Sequence, residues 1–162
     1  MITIIGIDPG LLATGVGIVR GSGSKISGYS FGSIHTPKNK SLPNRLDHIF
    51  LKILQILKDE KPDLMVLEDV FSLSEYPKSG ITLGQVTGVV MLAACRSGVS
   101  SVEIAVREAK QVLTGNGNAS KMQLEEAVRH RLNHKSAIRP FHASDALGLA
   151  LIGFYRYHDR HA

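Results

Sequence analysis

The pattern of apolar positions at the start of the chain predicts three β-strands joined by short links. The stretch TIIGID is followed by a turn at PGLLAT, a second stretch GVGIVR and a third around ISGYSFGSIHT. Runs of Ile and Val bounded by Gly, Pro and polar turn residues are typical of strands. Because the links are short, we expect the three strands to pair antiparallel.

The spacing of apolar residues changes from about Pro43 and predicts a helix that ends near Lys61 and Pro62. Its apolar stripe consists of Leu46, Ile49, Phe50, Ile53, Leu54 and Leu57. Such spacing places the side chains on one helix face. The next segment, DLMVLEDVF, is continuously apolar until its acids, which is typical of a buried strand in a parallel sheet.

Helices and one short strand fill the rest of the pattern. We expect a helix over about Ile81 to Arg96, a short strand in VSSVEIAV, a helical turn and Gly/Asn loop in REAKQVLTGNGNASK, a helix in KMQLEEAVRHRL that Ser120 could cap, and a last helix in FHASDALGLALIGFYRYH. Three strands followed by alternating helices and strands predict an α/β fold with a mixed five-stranded sheet covered by helices on both faces. No linker or repeat divides residues 1–162, so one domain is expected.

The composition indicates which class of partner the protein binds and in which compartment it is found. The formal net charge of +5 and the pI near 9.5 attract polyanions, which makes nucleic acid the first partner to consider. The single cysteine, Cys95, excludes an internal disulfide and fits a reducing compartment. The apolar runs are too short for a signal peptide or a membrane span, so a cytoplasmic protein is expected.

Three carboxylates stand where an apolar or plain turn residue would be expected: Asp8 after IIGI, Glu68 after LMVL and Asp145 before ALGLALIGF. Each of these acids also has an ordinary structural explanation. Asp8 could stabilise a turn, Glu68 could mark a solvated strand exit, and Asp145 could interact with a helix dipole. Ends of adjacent strands and the start of a crossing helix can converge on one spot, however, and clustered carboxylates repel each other unless a cation lies between them.

Oxygen ligands without a Cys/His cluster favour Mg²⁺ or Mn²⁺, and on a basic chain such a site points to phosphodiester chemistry. Two ions about 3.5–4 Å apart would suit an in-line displacement. His142 lies three residues before Asp145 and so shares its helix face. It could be a ligand, a general base, or a polar surface or capping residue.

The motifs GIDPG, TGVG, VLEDVF, LGQVTGV, REAKQVLTGNGNASK and HASDALGLA, in this order and spacing, resemble those of the RuvC-type Holliday-junction resolvases. The resemblance runs from about residue 3 to residue 153. It implies an RNase H-like fold, a homodimer, and Mg²⁺-dependent nicking of two opposing strands at a four-way DNA junction with 5′-phosphate and 3′-hydroxyl ends. It also implies contact with a branch-migration motor of the RuvA and RuvB type.

Site residues follow from the same resemblance. The acidic quartet of the family falls on Asp8, Glu68, His142 and Asp145, and the third position accepts either Asp or His. The adjacent Asp69 has no role that can be assigned. Residues that match DNA-contacting positions, or share a segment with them, are Phe71, Arg107, Lys110 and Lys121, with Tyr76 a weaker candidate.

Several of these residues also have structural readings. Phe71 could stack on an unpaired base at the crossover or cap the core. Each lysine could be an exposed solubilising charge, which is the preferred interpretation for Lys25, Lys58, Lys61 and Lys135. Gly84 and Gly88 lie four residues apart on one predicted helix, and their stripe could be a dimer contact or could pack closely on its own sheet.

Three other functions remain to be compared. An RNA-processing enzyme of the YqgF type would share GIDPG, but it is not expected to carry VLEDVF or HASDAL. A junction-binding protein without catalysis would bind the DNA and not cut it. An actin-like ATPase half-domain also opens with an aspartate after a strand, but a chain of 162 residues lacks a second lobe to enclose a nucleotide.

Overall fold

The computed structural model describes the backbone of residues 1–69 and 77–161, and the side chains of 1–69 and 79–157. Its centre is a five-stranded sheet in the order β3-β2-β1-β4-β5. The strands are β1 Ile2–Asp8, β2 Ala13–Ser22, β3 Lys25–His35, β4 Leu64–Glu68 and β5 Ser101–Ile104. The first three strands pair antiparallel, and β4 runs parallel to both β1 and β5. The predicted mixed sheet and its antiparallel start are confirmed.

Five helices cover the sheet: α1 Leu42–Glu60, α2 Pro77–Arg96, α3 Val106–Thr114, α4 Lys121–Arg131 and α5 Phe141–His161. One core cluster joins α1 and α2 to one face of the sheet, and the other joins α3, α4 and α5 to the opposite face. Ser120 caps α4 as expected, because it accepts the backbone N–H of Gln123 while the Gln123 side chain accepts that of Ser120. The expected helical turn after β5 is instead a full helix, α3.

Helix α5 lies directly on β1 and β2, and glycine makes this contact possible. A Cβ atom on Gly15 would overlap the backbone carbonyl of His142, and one on Gly17 would meet the backbone of Leu147. A side chain at either strand position would therefore push the helix away from the sheet. The close approach fixes the start of α5 against the end of β1, where Asp8 lies.

Among the helices that the structure describes, none is long and apolar enough to cross a membrane.

Candidate active site

The cleft at the carboxyl end of β1 is built around Asp8. This residue is the last of β1, a strand hydrogen-bonded on both sides, and it is 6% exposed. Its Oδ2 lies 2.6 Å from Nδ1 of His142, in the first turn of α5. Because the hydrogen bond to Asp8 favours the protonated imidazole, the pKa of His142 is raised, although burial opposes the shift.

Glu68 and Asp145 complete the acidic group. Glu68 ends β4, the parallel neighbour of β1, and its pKa is raised to about 9 by burial, by its hydrogen bond with Asp8 and by the charges of Asp8 and Asp145. Burial and the charge of Asp8 raise the pKa of Asp145 to about 6, while Lys121 opposes this shift. Simultaneous ionisation of the three carboxyl groups is therefore unfavourable.

Two observations bear on whether this group suits a divalent cation. Oδ1 of Asp145 is buried without a hydrogen-bond partner, and the buried acids repel one another in their charged forms. Both penalties would be relieved by a cation bound to their oxygens, and hard oxygen donors suit Mg²⁺ or Mn²⁺. Among the side chains of residues 1–69 and 79–157, no group of three or more His, Cys, Asp or Glu is already arranged to hold a metal ion. Asp8 is instead hydrogen-bonded with Glu68 and His142, so cation binding would have to replace these hydrogen bonds.

Basic groups border the same cleft. Lys110 of α3 and Lys121 at the first position of α4 line it together with Asp8, Glu68 and Asp145. Both lysines are close enough to lower the pKa of Asp145. Arg107 is exposed and lies against Gly117, where a Cβ would approach the arginine side chain. The cleft thus combines acids at its base with ammonium groups at its border.

The turn after Asp8 is held by residues that the sequence did not single out. The buried Thr14 donates its hydroxyl to Gly10 O at 2.7 Å. Further out, Thr36 donates to Leu11 O, and Arg45 donates to Oγ1 of Thr36 at 2.8 Å. Thr14 lies within the TGVG motif and could have been found there, but Thr36 and Arg45 act through contacts distant in sequence, which periodicity does not report.

The structure brings most of the predicted site together. Asp8, Glu68, His142 and Asp145 share one cleft with Lys110, Lys121 and also Asp69. Arg107 is nearby on α3. Phe71 and Tyr76 lie outside the described residues. Gly84 and Gly88 are exposed on α2, and a Cβ on either would meet no described atom within 4 Å. Close packing of these glycines on their own sheet is therefore wrong.

This fold and cleft define a class, the RNase H-like nucleases, in which acids at the ends of central strands and on a crossing helix face a phosphodiester. Within that class, residues 4–153 match the family model described as crossover junction endodeoxyribonuclease RuvC. The chain belongs to the RuvC family.

Relatives and solved structures agree with this membership. The chain is 40% identical over 151 residues to crossover junction endodeoxyribonuclease RuvC of Photorhabdus laumondii, covering 93% of this chain and 86% of the relative. The protein of the same description from Rubrobacter xylanophilus is 37% identical, covering 91% of this chain and 82% of the relative. Thermus thermophilus RuvC in complex with Holliday junction substrate superposes with a TM-score of 0.90 at 27% identity, covering 99% of this chain and 97% of that structure.

Proposed function

We propose that this chain resolves four-way DNA junctions by nicking two opposing strands, with Asp8, Glu68, His142 and Asp145 as its catalytic residues. Membership of the RuvC family makes the chain a crossover junction endodeoxyribonuclease that acts on junction DNA. The observation that carries the residue assignment is the single cleft in which Asp8, hydrogen-bonded by His142, lies with two further acids and two lysines.

Nucleases of this family depend on a metal ion. We expect Mg²⁺, with Mn²⁺ as a substitute and two ions per subunit, held by Asp8, Glu68, Asp145 and His142. Asp8 is the residue best placed to be shared, because both Glu68 and His142 are hydrogen-bonded to it. The chemistry supplied by such ions when bound is polarisation of phosphoryl oxygens and stabilisation of charge on the leaving oxygen.

The other groups bind and orient the substrate. The Lys110 and Lys121 ammonium groups bind phosphate oxygens next to the scissile bond, and Arg107 extends this positive border. Asp8 holds the His142 ring in place through Nδ1, so that the ring can act as a ligand or orient the attacking water. Water attacks phosphorus, and the bond between phosphorus and the 3′ oxygen breaks. The products are 5′-phosphate and 3′-hydroxyl ends, which a ligase can seal. Phe71 is proposed to stack on an unpaired base at the crossover.

A homodimer would supply the second active site. The exposed face of α2 includes Ile81, Gly84, Gln85, Gly88, Leu92 and Cys95, with the exposed Arg96 at its end. Ile81 is 66% and Leu92 49% exposed, and both glycines are open, so a second copy of the helix could approach closely there. A two-fold dimer matches a two-fold junction with two equivalent strands to cut. We further propose that the protein is cytoplasmic and that residues 1–162 form one nuclease domain. Its proposed partner is a branch-migration motor of the RuvA and RuvB type.

Cleavage of a synthetic four-way junction tests the assignment. In Mg²⁺, the wild type should nick two opposing strands symmetrically and leave a linear duplex of the same sequence intact. Asp8→Asn should bind the junction and lose cleavage by on the order of 100-fold or more, because a central ligand is replaced by a neutral amide. Asp47→Asn, an exposed acid on α1, is the matched control and should cleave like the wild type.

Cleavage retained by Asp8→Asn would overturn the catalytic assignment. Binding without cleavage by the wild type, in both Mg²⁺ and Mn²⁺, would instead favour a binding protein.

A further inference from the structure

Two segments of the chain contain no acidic residue. Residues 9–46 lie between Asp8 and Asp47, and residues 127–144 lie between Glu126 and Asp145. The charged groups in both segments are Arg and Lys only, accompanied by several His. Any surface formed jointly by these segments is therefore positive or neutral, which suits a polyanion.

The fold joins the two segments at β3. The Nδ1 atom of His134 lies 2.7 Å from the Tyr29 hydroxyl, and its Nε2 lies 3.1 Å from the Ser136 hydroxyl. Phe31, which is 37% exposed, meets the edge of the same His134 ring at a centroid distance of 5.6 Å. The imidazole is thus held on both nitrogens and flanked by aromatic rings.

The loop that carries His134 is anchored to the core. The carboxylate of Glu125, which is 4% exposed, accepts the backbone N–H of Ile138 at 2.8 Å, and at the other end of the loop His134 is hydrogen-bonded to Tyr29 of β3. Between these anchors Lys135 is exposed, with Ser136 beside it. The cationic group is therefore carried on a fixed backbone, which reduces the entropy lost on binding a ligand.

This surface continues into the active site. Tyr29, Phe31, Ser33 and His35 alternate along β3 and so share one face, and the Ser33 hydroxyl lies 2.7 Å from Nε2 of His35. Ser33 pairs with Gly15, and Gly15 is the residue whose backbone lies directly under His142. The row of β3 side chains consequently begins one strand away from the catalytic imidazole.

We propose that Phe31, Ser33, His35, His134 and Lys135 form a second DNA track, which binds the sugar–phosphate backbone of a junction arm. The inference rests on the proposed function and adds a surface to it. Helix α3, which carries Lys110, follows β5 at the opposite edge of the sheet. The scissile strand would therefore be held on both sides of the acids. The Ser33 hydroxyl, the His35 imidazole and the Lys135 ammonium group can donate to phosphate oxygens. His134, whose two nitrogens are already bonded, instead supports the surface beside Phe31, and Phe31 can contact a sugar or base.

Salt dependence of binding tests the charge of this track. Junction affinity is measured in the Asp8→Asn background, which prevents cleavage, with and without Lys135→Gln. Removing one phosphate contact should weaken binding about three- to tenfold near 0.1 M salt and lower the slope of log affinity against log salt by about 0.9. Lys52→Gln, an exposed lysine on α1 across the sheet, makes the same charge change and should do neither.

Crosslinking tests the position directly and needs no loss of affinity. A benzophenone side chain introduced in place of Phe31 should crosslink to one arm of the junction. The same group in place of Leu51, which is 56% exposed on α1, should not.

Both results are required, and failure of either overturns the track. If the wild type binds and cuts junctions while Lys135→Gln equals Lys52→Gln, or while position 31 crosslinks no more than position 51, only the track is wrong. If the wild type neither binds nor cuts junctions, the proposed function itself is wrong. The exposed Lys135 makes no buried contact to lose, and an unchanged unfolding temperature of Lys135→Gln checks that the fold is retained.

Discussion

Asp8 is the residue on which the electrostatics of the cleft depend. Burial and the charge of Asp8 together raise the pKa values of Glu68 and Asp145, and the hydrogen bond to Asp8 raises the pKa of His142. The two acids resist ionisation and the imidazole resists deprotonation, so all three groups bind protons more strongly in the folded chain than in the unfolded chain. Proton uptake by the cleft therefore favours folding when no cation is bound.

The stability of the metal-free protein should fall as pH rises. Below about pH 4 these groups are protonated in both states, so the contribution is fully present. It is lost as the pH passes the raised pKa of Asp145 near 6 and that of Glu68 near 9. Between pH 5 and pH 8 we expect a loss on the order of 1–3 kcal/mol in the free energy of unfolding, measured by urea denaturation in EDTA.

Asp8→Asn is the control for this effect, because it removes the part of the three pKa shifts that comes from the Asp8 carboxylate and leaves the part that comes from burial. Its stability should vary less with pH than that of the wild type. Addition of Mg²⁺ should stabilise the wild type more at pH 8 than at pH 5, when fewer ligand protons must be displaced. A stability that rises from pH 5 to pH 8 in EDTA would contradict this account.

For individual residues, the sequence predicted the acids of the cleft but not the residues that hold the turn after Asp8. Asp8, Glu68 and Asp145 could be singled out because each interrupts or borders an apolar run. The hydrogen bonds of Asp8 with Glu68 and His142, and the burial that raises the pKa values of Glu68 and Asp145, depend on distances that no local pattern encodes. Thr36 and Arg45 gave no signal for the same reason, since they act on the turn after Asp8 from other elements.

Among the elements, α5 has the most demanding fit. It lies on β1 and β2 where glycines replace side chains, and its first two turns carry His142 and Asp145. Small residues in these strands thus decide how far the helix stands from the sheet, and with it the separation of His142 from Asp8.

Gly15→Ala should disturb this contact. The new Cβ would overlap the carbonyl of His142, so the helix must shift or the strand must bend. We expect a loss of about 1–3 kcal/mol in the free energy of unfolding, with junction cleavage reduced further than junction binding. Both are measured on the same preparation, at a temperature where the variant is folded.

Gly32→Ala on β3 is the matched control, because a Cβ there meets no described atom within 4 Å. It should change stability little and leave cleavage unchanged. Equal effects of the two substitutions would show that strand propensity, and not the fit of α5, is responsible.

The elements themselves could be predicted well, since each depends on local periodicity or capping. The helical stripe beginning at Leu46 and the Ser120 cap are both local signals, and both appear in the structure as α1 and α4. Helix α3 was underestimated because its segment is short and polar. The position of β4 between β1 and β5 was left open by the pattern, because strand order is decided by packing between distant segments.

For the whole molecule, the exposed face of α2 matters most, because two coordinated nicks need two active sites. The exposed Ile81 and Leu92 beside open glycines give this face apolar surface and room for a second helix. The proposed dimer would bury this face.

Gly88→Arg should therefore yield a monomer, because a long charged side chain would fill the space needed by a second helix. We expect sedimentation to show loss of the dimer, and junctions to receive single uncoordinated nicks in place of paired ones. Leu51→Arg places the same side chain on exposed α1 and should remain dimeric. A dimer retained by Gly88→Arg would direct the search to another surface.

The central place of β1 also has a consequence for dynamics. Its amides and carbonyls are paired on both sides, to β2 and to β4, while its side chains enter both cores. The amide protons of Ile5 and Ile7 should then exchange with solvent deuterium only through global unfolding, whereas those of the edge strand β3 should exchange through smaller openings. The Asp8 carboxylate at the end of β1 would thus stay in place while the hydrogen bonds of β3, the strand proposed to contact DNA, open locally.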